Sequence, residues 1–330
     1  MSIRMRARTT ALAGALLITA TSLAGCVHAA APDSLPPSAT ASWPAPAGVS
    51  SDVPVEPTPA TEECDATESL TPGPLPPVGQ MPPGSTMETI AQRGWVKVGL
   101  DIGSNLLSFR DPISGTIEGF DVDIAKELAR AIFGDPERVE FKILNSGDRI
   151  EALKDESVDV VVKTMSITCE RLKEIAFSTV YYEASQRILT MRSSNINGVA
   201  DLAGKRVCAA RGTTSISRIQ QRVPDAIVDT VSSWADCLVM LQQGQVDAVS
   251  TDDAILAGMA AQDPYVHVVG QSIGEEPYGI GIHKDNEDLV RFTNGVLQKM
   301  RQDGTWFDIY DRWLSILGPK YYPPQPKYRD

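Results

Sequence analysis

The chain has 330 residues, 42% hydrophobic and 22% charged, with a formal net charge of −12. That length accommodates two domains. An acidic chain without a basic stripe points away from nucleic acid, and any anion it binds must be held by a local site, because the overall field repels it.

Arg4, Arg6 and Arg8 precede an apolar run from Ala11 to about Ala24. The run is too short to span a bilayer and has the layout of a secretory signal, residues 1–25. Leu23-Ala24-Gly25-Cys26 looks like a bacterial lipobox. That resemblance implies cleavage before Cys26 and a diacylglyceryl group on its sulfur. The chain would then be lipid-anchored on the extracytoplasmic face of the cell membrane. Plain secretion with an unmodified Cys26 is the alternative. Loss of residues 1–25 takes the net charge to −15. Residues 26–86 are rich in Pro, Ala, Ser and Thr and read as an extended tether, with a mean reach of roughly 45 Å if flexible.

Cys64, Cys169, Cys208 and Cys237 suit two disulfides in an exported chain, with three connectivities open. Cys208 with Cys237 is the favoured pair because both fall in one half of the folded body. Cys64 with Cys169 would then staple the N-terminal segment. Four buried thiols are the alternative. No paired CxxC or HxxxH spacing supports a metal site, and no cofactor is implied.

Order is expected from about Met87. WVKVGLD (Trp95–Asp101) reads as a buried strand. In GFDVDIAKELARAIFG, Ala125, Leu128, Ala129 and Ile132 fall at helical spacing, with Gly134 as the stop. RVEFKIL reads as a strand and SGDRIEALKDE as a helix. VDVVVKT is a strand without alternation, as in a sheet covered on both faces. The pattern then restarts: KRVCAAR strand, SISRIQQR helix, AIVDTV strand, WADCLVMLQQ helix, VDAVSTD strand. Such alternation indicates an α/β fold with mainly parallel pairing. LKDESVDVV and LQQGQVDAV share the frame L-x-x-x-x-V-D-x-V, which favours two similar lobes. The segment from about residue 289 to 317 is helical and amphipathic, broken at QDGT, and residues 319–330 read as a tail.

Ligands in open α/β sheets sit beyond the carboxyl ends of strands, and four clusters occupy such positions. Thr164, Ser166 and Arg171 combine hydroxyls, nearby amides and a guanidinium whose planar fork suits one carboxylate. A surface arginine beside a helix cap is the competing explanation. Arg211-Gly212-Thr213-Thr214 opens a helix whose first amides form an anion site, or merely an ordinary capped turn. Asp252 and Asp253 end a strand; either can meet an ammonium while the other caps the next helix. Ser146 can cap a helix while Arg149 points into the same mouth, unless Arg149 is simply solvated.

These stretches, above all GFDVDIAKELA and VDVVVKTMSITCERLKEIAFSTVYY, with DLAGKRVCAARGTTS, VDAVSTDDAIL and YGIGI, resemble the polar amino-acid family of bacterial solute-binding proteins. The resemblance extends to the actinobacterial glutamate/glutamine-binding lipoproteins of ABC importers, and covers most of residues 88–317. It implies a two-lobed type II periplasmic-binding-protein fold that closes on its ligand. Lobe 1 would comprise residues 87–183 and 279–318, and lobe 2 residues 184–278, with crossover strands near Tyr182–Arg187 and Glu276–Ile282. By position, Arg171 would hold the ligand α-carboxylate, with contacts from Thr164, Ser166, Thr213 and Thr214. Asp252 would pair with the α-ammonium and Asp101 would line the first-lobe wall. Ser146 and Arg149 match positions that engage a side-chain carboxylate, which favours glutamate or aspartate over asparagine or glutamine. Many relatives carry Gly where Thr164 stands, and Lys163 is an unusual charge there.

The resulting expectation is a monomeric, membrane-tethered amino-acid receptor. It would dock on an ABC permease or, alternatively, on a membrane sensor protein. An enzyme on the same fold, a dehydratase or lyase, needs a positioned acid/base. Glu170 and Glu183 are the nearby candidates, and His28, His267 and His283 form no triad.

Overall fold

The computed structural model describes residues 43–51, 64–320 and 322–329. The expected signal peptide and Cys26 lie outside them. The first half of the folded body runs β1 (Glu68–Leu70), α1 (Thr86–Arg93), β2 (Val96–Leu100), β3 (Gly103–Ser104), β4 (Ser108–Arg110), β5 (Ile117–Glu118), α2 (Phe120–Phe133), β6 (Val139–Ile143), α3 (Arg149–Lys154), β7 (Val160–Val161), α4 (Cys169–Glu174) and β8 (Ala176–Phe177). It continues through β9 (Tyr182–Met191), β10 (Arg206–Ala210), α5 (Thr214–Arg222), β11 (Ile227–Val231), α6 (Trp234–Gln242), β12 (Ala248–Asp252), α7 (Asp253–Gln262) and β13 (Val266–Tyr278). β14 (Gly281–Ile282), α8 (Glu287–Asp303), α9 (Thr305–Trp313) and β15 (Lys327–Arg329) complete it.

Two five-stranded sheets form two lobes. The first has the order β6-β2-β7-β14-β8 and the second β11-β10-β12-β9-β13. In each, three parallel strands are followed by antiparallel ones. The repeated frame in the sequence marks the same place in both. Asp159 precedes β7, donates its N–H to Lys97 O at 2.9 Å and accepts Lys97 N–H on its carboxylate at 2.7 Å. Asp247 precedes β12 and does the same to Arg206, at 2.8 Å and 2.8 Å. Each aspartate thus closes a parallel strand pair at its open end, where the ladder leaves backbone groups that need partners.

Helical spacing places the α2 stripe as expected. Ala125, Leu128, Ala129 and Ile132 are buried, and Gly134 ends the helix at φ 74°. Val160, Val161 and Val162 are fully buried, as a strand covered on both faces requires. The chain crosses between sheets beside an aromatic cluster of Phe120, Tyr181, Tyr182, Tyr278, Trp306 and Tyr310, with ring centroids 5.3 to 6.5 Å apart. Each such pair adds about 0.5–1.5 kcal/mol beyond burial. Trp306 Nε1 anchors the cluster by donating to Tyr181 O at 2.8 Å.

Two expectations about the chain ends need correction. Residues 64–86 belong to the folded body. β1 pairs in parallel with β15, Ser69 Oγ donates to Phe177 O at 2.7 Å, Met81 is buried, and Ser85 caps α1. The last residues are therefore an edge strand as well as a tail. Composition failed here because a Pro-rich stretch needs few backbone partners and packs through scattered apolar residues. Further upstream, Trp43–Ser51 lies on lobe 2. Ser50 and Thr230 exchange two backbone hydrogen bonds, Ser51 Oγ donates to Asp229, and Gln245 donates to Trp43 O.

Disulfides join Cys64 to Cys169 and Cys208 to Cys237. The second encloses 29 residues of sequence separation. Replacing both Cys208 and Cys237 by Ala should cost about 3–4 kcal/mol, read from denaturant unfolding. An unchanged midpoint would show that the unfolded lobe is already compact.

Candidate functional site

The turn after β7 is strained. Thr164 sits at φ 41°, a left-handed conformation that a β-branched residue rarely adopts and glycine adopts freely. The turn is held by Asp121, whose Oδ2 accepts Thr164 N–H at 3.0 Å and whose Oδ1 accepts Tyr181 O–H at 2.9 Å. Asp121 is fully buried, and desolvation pushes its carboxyl up to about 7. Asp121 was absent from the candidates, yet it lies on one helical stripe with Ala125, Leu128 and Ile132. A carboxylate on a buried stripe was the available signal.

Arg149, Thr164, Ser166 and Arg171 from lobe 1 face Thr213, Thr214, Ser215, Trp234 and Asp252 of lobe 2 across a narrow chamber. Thr168 caps α4 by accepting Arg171 N–H, which fixes the base of the arginine. Arg171 Nη1 donates to Ser166 O at 2.6 Å, and its Nη2 reaches across the cleft to Gly212 O at 3.1 Å. Arg149 Nη2 donates to the same carbonyl at 3.1 Å. Two guanidinium groups therefore converge on one backbone oxygen of the opposite lobe. Gly212 stands at φ 73°, and a Cβ there would lie 2.5 Å from the Cα of Gly147. The lobes touch where neither has a side chain.

Asp252 and Asp253 divide the roles left open by the sequence. Asp253 Oδ1 accepts Ala254 N–H and Ser185 N–H. Asp252 makes no cap bond; its Oδ2 accepts Tyr278 O–H at 2.5 Å, and its Oδ1 is buried without a partner. Desolvation and then the neighbouring Glu276 hold its carboxyl well above the usual range. An ammonium placed at Oδ1 would satisfy the orphan oxygen and reverse that shift. Glu276 is neutralised by Arg218 at 2.8 Å and accepts Thr214 O–H at 2.9 Å. Thr213 donates its hydroxyl to Ala210 O at 2.7 Å.

Two expected roles change, and Arg149 keeps its place in the mouth of the site. Arg149 is 2% exposed, and its Nε and Nη1 donate to Ser146 O and to Lys163 O and Thr164 O, so it faces the first chamber with Arg171. Burial and then Arg171 draw it down to about 9, still cationic at neutral pH. Ser146 does not cap its helix, because Asn145 and Asp148 form the capping box; Ser146 Oγ instead accepts Lys163 Nζ–H at 3.1 Å. Arg211 turns away from the chamber, donating to Gly48 O and Ser232 Oγ, since residues 43–51 offer it acceptors that the sequence pattern hid.

A second, roomier chamber adjoins the first at Trp234. Asp101, Asn145, Ser146, Lys163, Ser232 and Ser233 supply its polar groups. Lys163 Nζ lies 3.1 Å from Asp101 Oδ2, and Ser104 and Ser108 donate to the same carboxylate. Glu170 and Glu183, the acid/base candidates, are both exposed.

Gly212→Ala should prop the lobes apart. Its radius of gyration by small-angle X-ray scattering should exceed that of the wild type with an unchanged circular dichroism spectrum. Equal radii would show that the lobes need not approach this closely. Asp121 gives a pH signature. Its folded pKa of about 7 exceeds the unfolded value near 3.8, so the native state binds the extra proton. The associated stability is full below about pH 4 and is lost as pH rises through 7, by an order of 4 kcal/mol. Asp121→Asn removes this titration. The wild type minus variant unfolding free energy should therefore fall between pH 4 and pH 8, and a flat difference would exclude it.

With this geometry in view, residues 96–316 match the family model of bacterial extracellular solute-binding proteins, family 3. The ABC transporter glutamine-binding protein GlnH of Bacillus subtilis (strain 168) is 39% identical over 231 residues, covering 70% of this chain and 85% of that one. The glutamine-binding protein of Geobacillus stearothermophilus is 42% identical over 208 residues, covering 63% and 79%. Among solved structures, an ancestral arginine-binding protein bound to glutamine superposes with a TM-score of 0.63 at 34% identity, covering 67% and 98%. The two-lobed α/β architecture and the family agree, and the chain belongs to the bacterial extracellular solute-binding proteins, family 3.

Proposed function

We propose that the chain is an extracytoplasmic receptor that closes on a polar amino acid and presents it to an ABC importer. The observation that carries this reading is the pairing of opposite charges across the first chamber. Arg171 on lobe 1 suits an α-carboxylate, with Arg149 and the hydroxyls of Ser166, Thr213 and Thr214 around it. The unpartnered Oδ1 of Asp252 on lobe 2 suits the α-ammonium. A zwitterion satisfies both only when the lobes are together, and a ligand shifts an equilibrium only through such differential contacts.

The side chain would enter the second chamber. The ionisable groups lining the two chambers are Arg149, Arg171 and Lys163 against Asp252 and Asp101. One positive charge remains in excess, which supports glutamate or aspartate as the ligand. The glutamine named for two relatives supports the amide instead, with asparagine as its shorter form. Lipidation at Cys26 would anchor the receptor to the membrane; no described helix is long and apolar enough to cross one. Delivery to a membrane sensor is the second reading of the partner. The family is one of solute binders, and we infer no catalytic step.

Calorimetric titration of refolded full-length protein, freed of carried-over ligand, tests this. Glutamate or aspartate should bind more tightly than glutamine. Arg171→Ala and Asp252→Asn should each weaken binding at least about tenfold, as expected for loss of a charged hydrogen bond of about 1.5–3 kcal/mol. Preference for glutamine would move the assignment to the amide. Absence of heat with every amino acid would end the receptor reading.

A further inference from the structure

Asp101 lies at the end of β2 with three partners on its carboxylate: Ser104 Oγ, Ser108 Oγ and Lys163 Nζ. It also lines the second chamber, the larger of the two. A carboxylate at the wall of a chamber that size would ordinarily recruit a basic side chain. A buried carboxylate without a counter-charge is costly, and a guanidinium or ammonium relieves that cost. In this chain the counter-charge is built in. Lys163 leaves β7 beside the strained Thr164 turn, and its side chain is 3% exposed. Its ammonium bonds Ser146 Oγ and the Asp101 carboxylate, which uses two of its three N–H bonds.

We propose that Lys163 is the specificity-determining residue of the second chamber, a tethered stand-in for the side chain of a basic ligand. Its ammonium occupies the carboxylate that arginine or lysine would need, and it turns its remaining N–H toward ligands with an acceptor at that end. This rests on the receptor reading above and adds a chemical class to it. Cationic amino acids are rejected because their charge would meet Lys163, and side chains carrying a carboxylate or amide oxygen are accepted. The nearest other charged groups leave the assignment intact. Arg149 is committed to four backbone carbonyls, and Asp121 faces Thr164 and Tyr181 behind the turn.

Lys163→Met keeps the length and apolar stem while removing the charge. Titrations of the refolded full chain with L-glutamate, L-glutamine, L-arginine and L-lysine provide the test. The wild type should give no heat with arginine or lysine. Lys163→Met should gain affinity for arginine or lysine by at least about tenfold and lose glutamate by at least about tenfold. Adding Asp101→Asn to Lys163→Met should abolish the gain. Asp101→Asn alone should tighten glutamate, because Lys163 is then released from its own carboxylate; this arm stands if Lys163→Met fails to fold. Wild-type binding of arginine within tenfold of glutamate would overturn the proposal and leave the receptor reading intact. So would no gain of a basic ligand in folded Lys163→Met, or weaker glutamate binding in Asp101→Asn. Silence of the wild type toward every amino acid would overturn the receptor reading and this inference with it.

Discussion

The cleft is organised by one oxygen. Arg149 and Arg171, from different helices of lobe 1, both donate to the carbonyl of Gly212 on lobe 2. Each guanidinium also donates within its own lobe, Arg149 to the carbonyls of Ser146, Lys163 and Thr164 and Arg171 to that of Ser166, so the shared oxygen ties two fixed cations to lobe 2. The arrangement holds the lobes in contact through two charged donors. Everything else at the site follows from keeping that approach short: the left-handed glycine, the bare Gly147 opposite it, and the strained Thr164 turn from which Lys163 and Ser166 are displayed.

The price of that geometry is buried charge, and the fold handles it in pairs. Asp101 has Lys163, and Glu276 has Arg218. Asp252 has no such cation beside it, with a tyrosine on one oxygen and no protein partner on the other. A half-satisfied buried carboxylate is among the costliest groups a protein keeps. Its position, facing Arg171 across the chamber rather than inside either lobe, makes it a feature of the cleft and not of the core. The tyrosine it engages, Tyr278, belongs to the aromatic cluster at the crossover, so the Asp252 side of the cleft rests on the crossover itself.

Much of this was legible in the sequence because it is local. The apolar spacing of α2, the unbroken valines of β7 and the repeated V-D step each report a periodicity or a strand end, and the structure gives Asp159 and Asp247 the same backbone partners. Two disulfides followed from compartment and count, while their pairing stayed open among three connectivities, with Cys208–Cys237 favoured because both fall in one half of the body. Arg211 was misread because a sequence says that a cation is present but not which carbonyls reach it. Arg211 is taken by Gly48, over 160 residues earlier in the chain. Residues 64–86 were misread because proline content reports a lack of regular ladders, whereas packing needs only a few apolar anchors. Lys163 stood out as an unusual charge against the family resemblance, but its meaning depends on Asp101, 62 residues earlier, and on a chamber that neither residue defines alone.

With Cys26 lipidated as proposed, the attachment of Trp43–Ser51 to lobe 2 would change how the anchor loads the receptor. A chain leaving Cys26 for a body that begins near Met87 could extend to about 200 Å, whereas one that first meets the body at Trp43 has a leash of at most about 60 Å. The folded body would then stand close above the bilayer. Any pull on the anchor would enter through the exposed edge of lobe 2, at Ser50 and Thr230, before it reached the disulfide at Cys64 on lobe 1. The two lobes would not carry that load equally, and lobe 2 would be the one held at fixed height while lobe 1 swings.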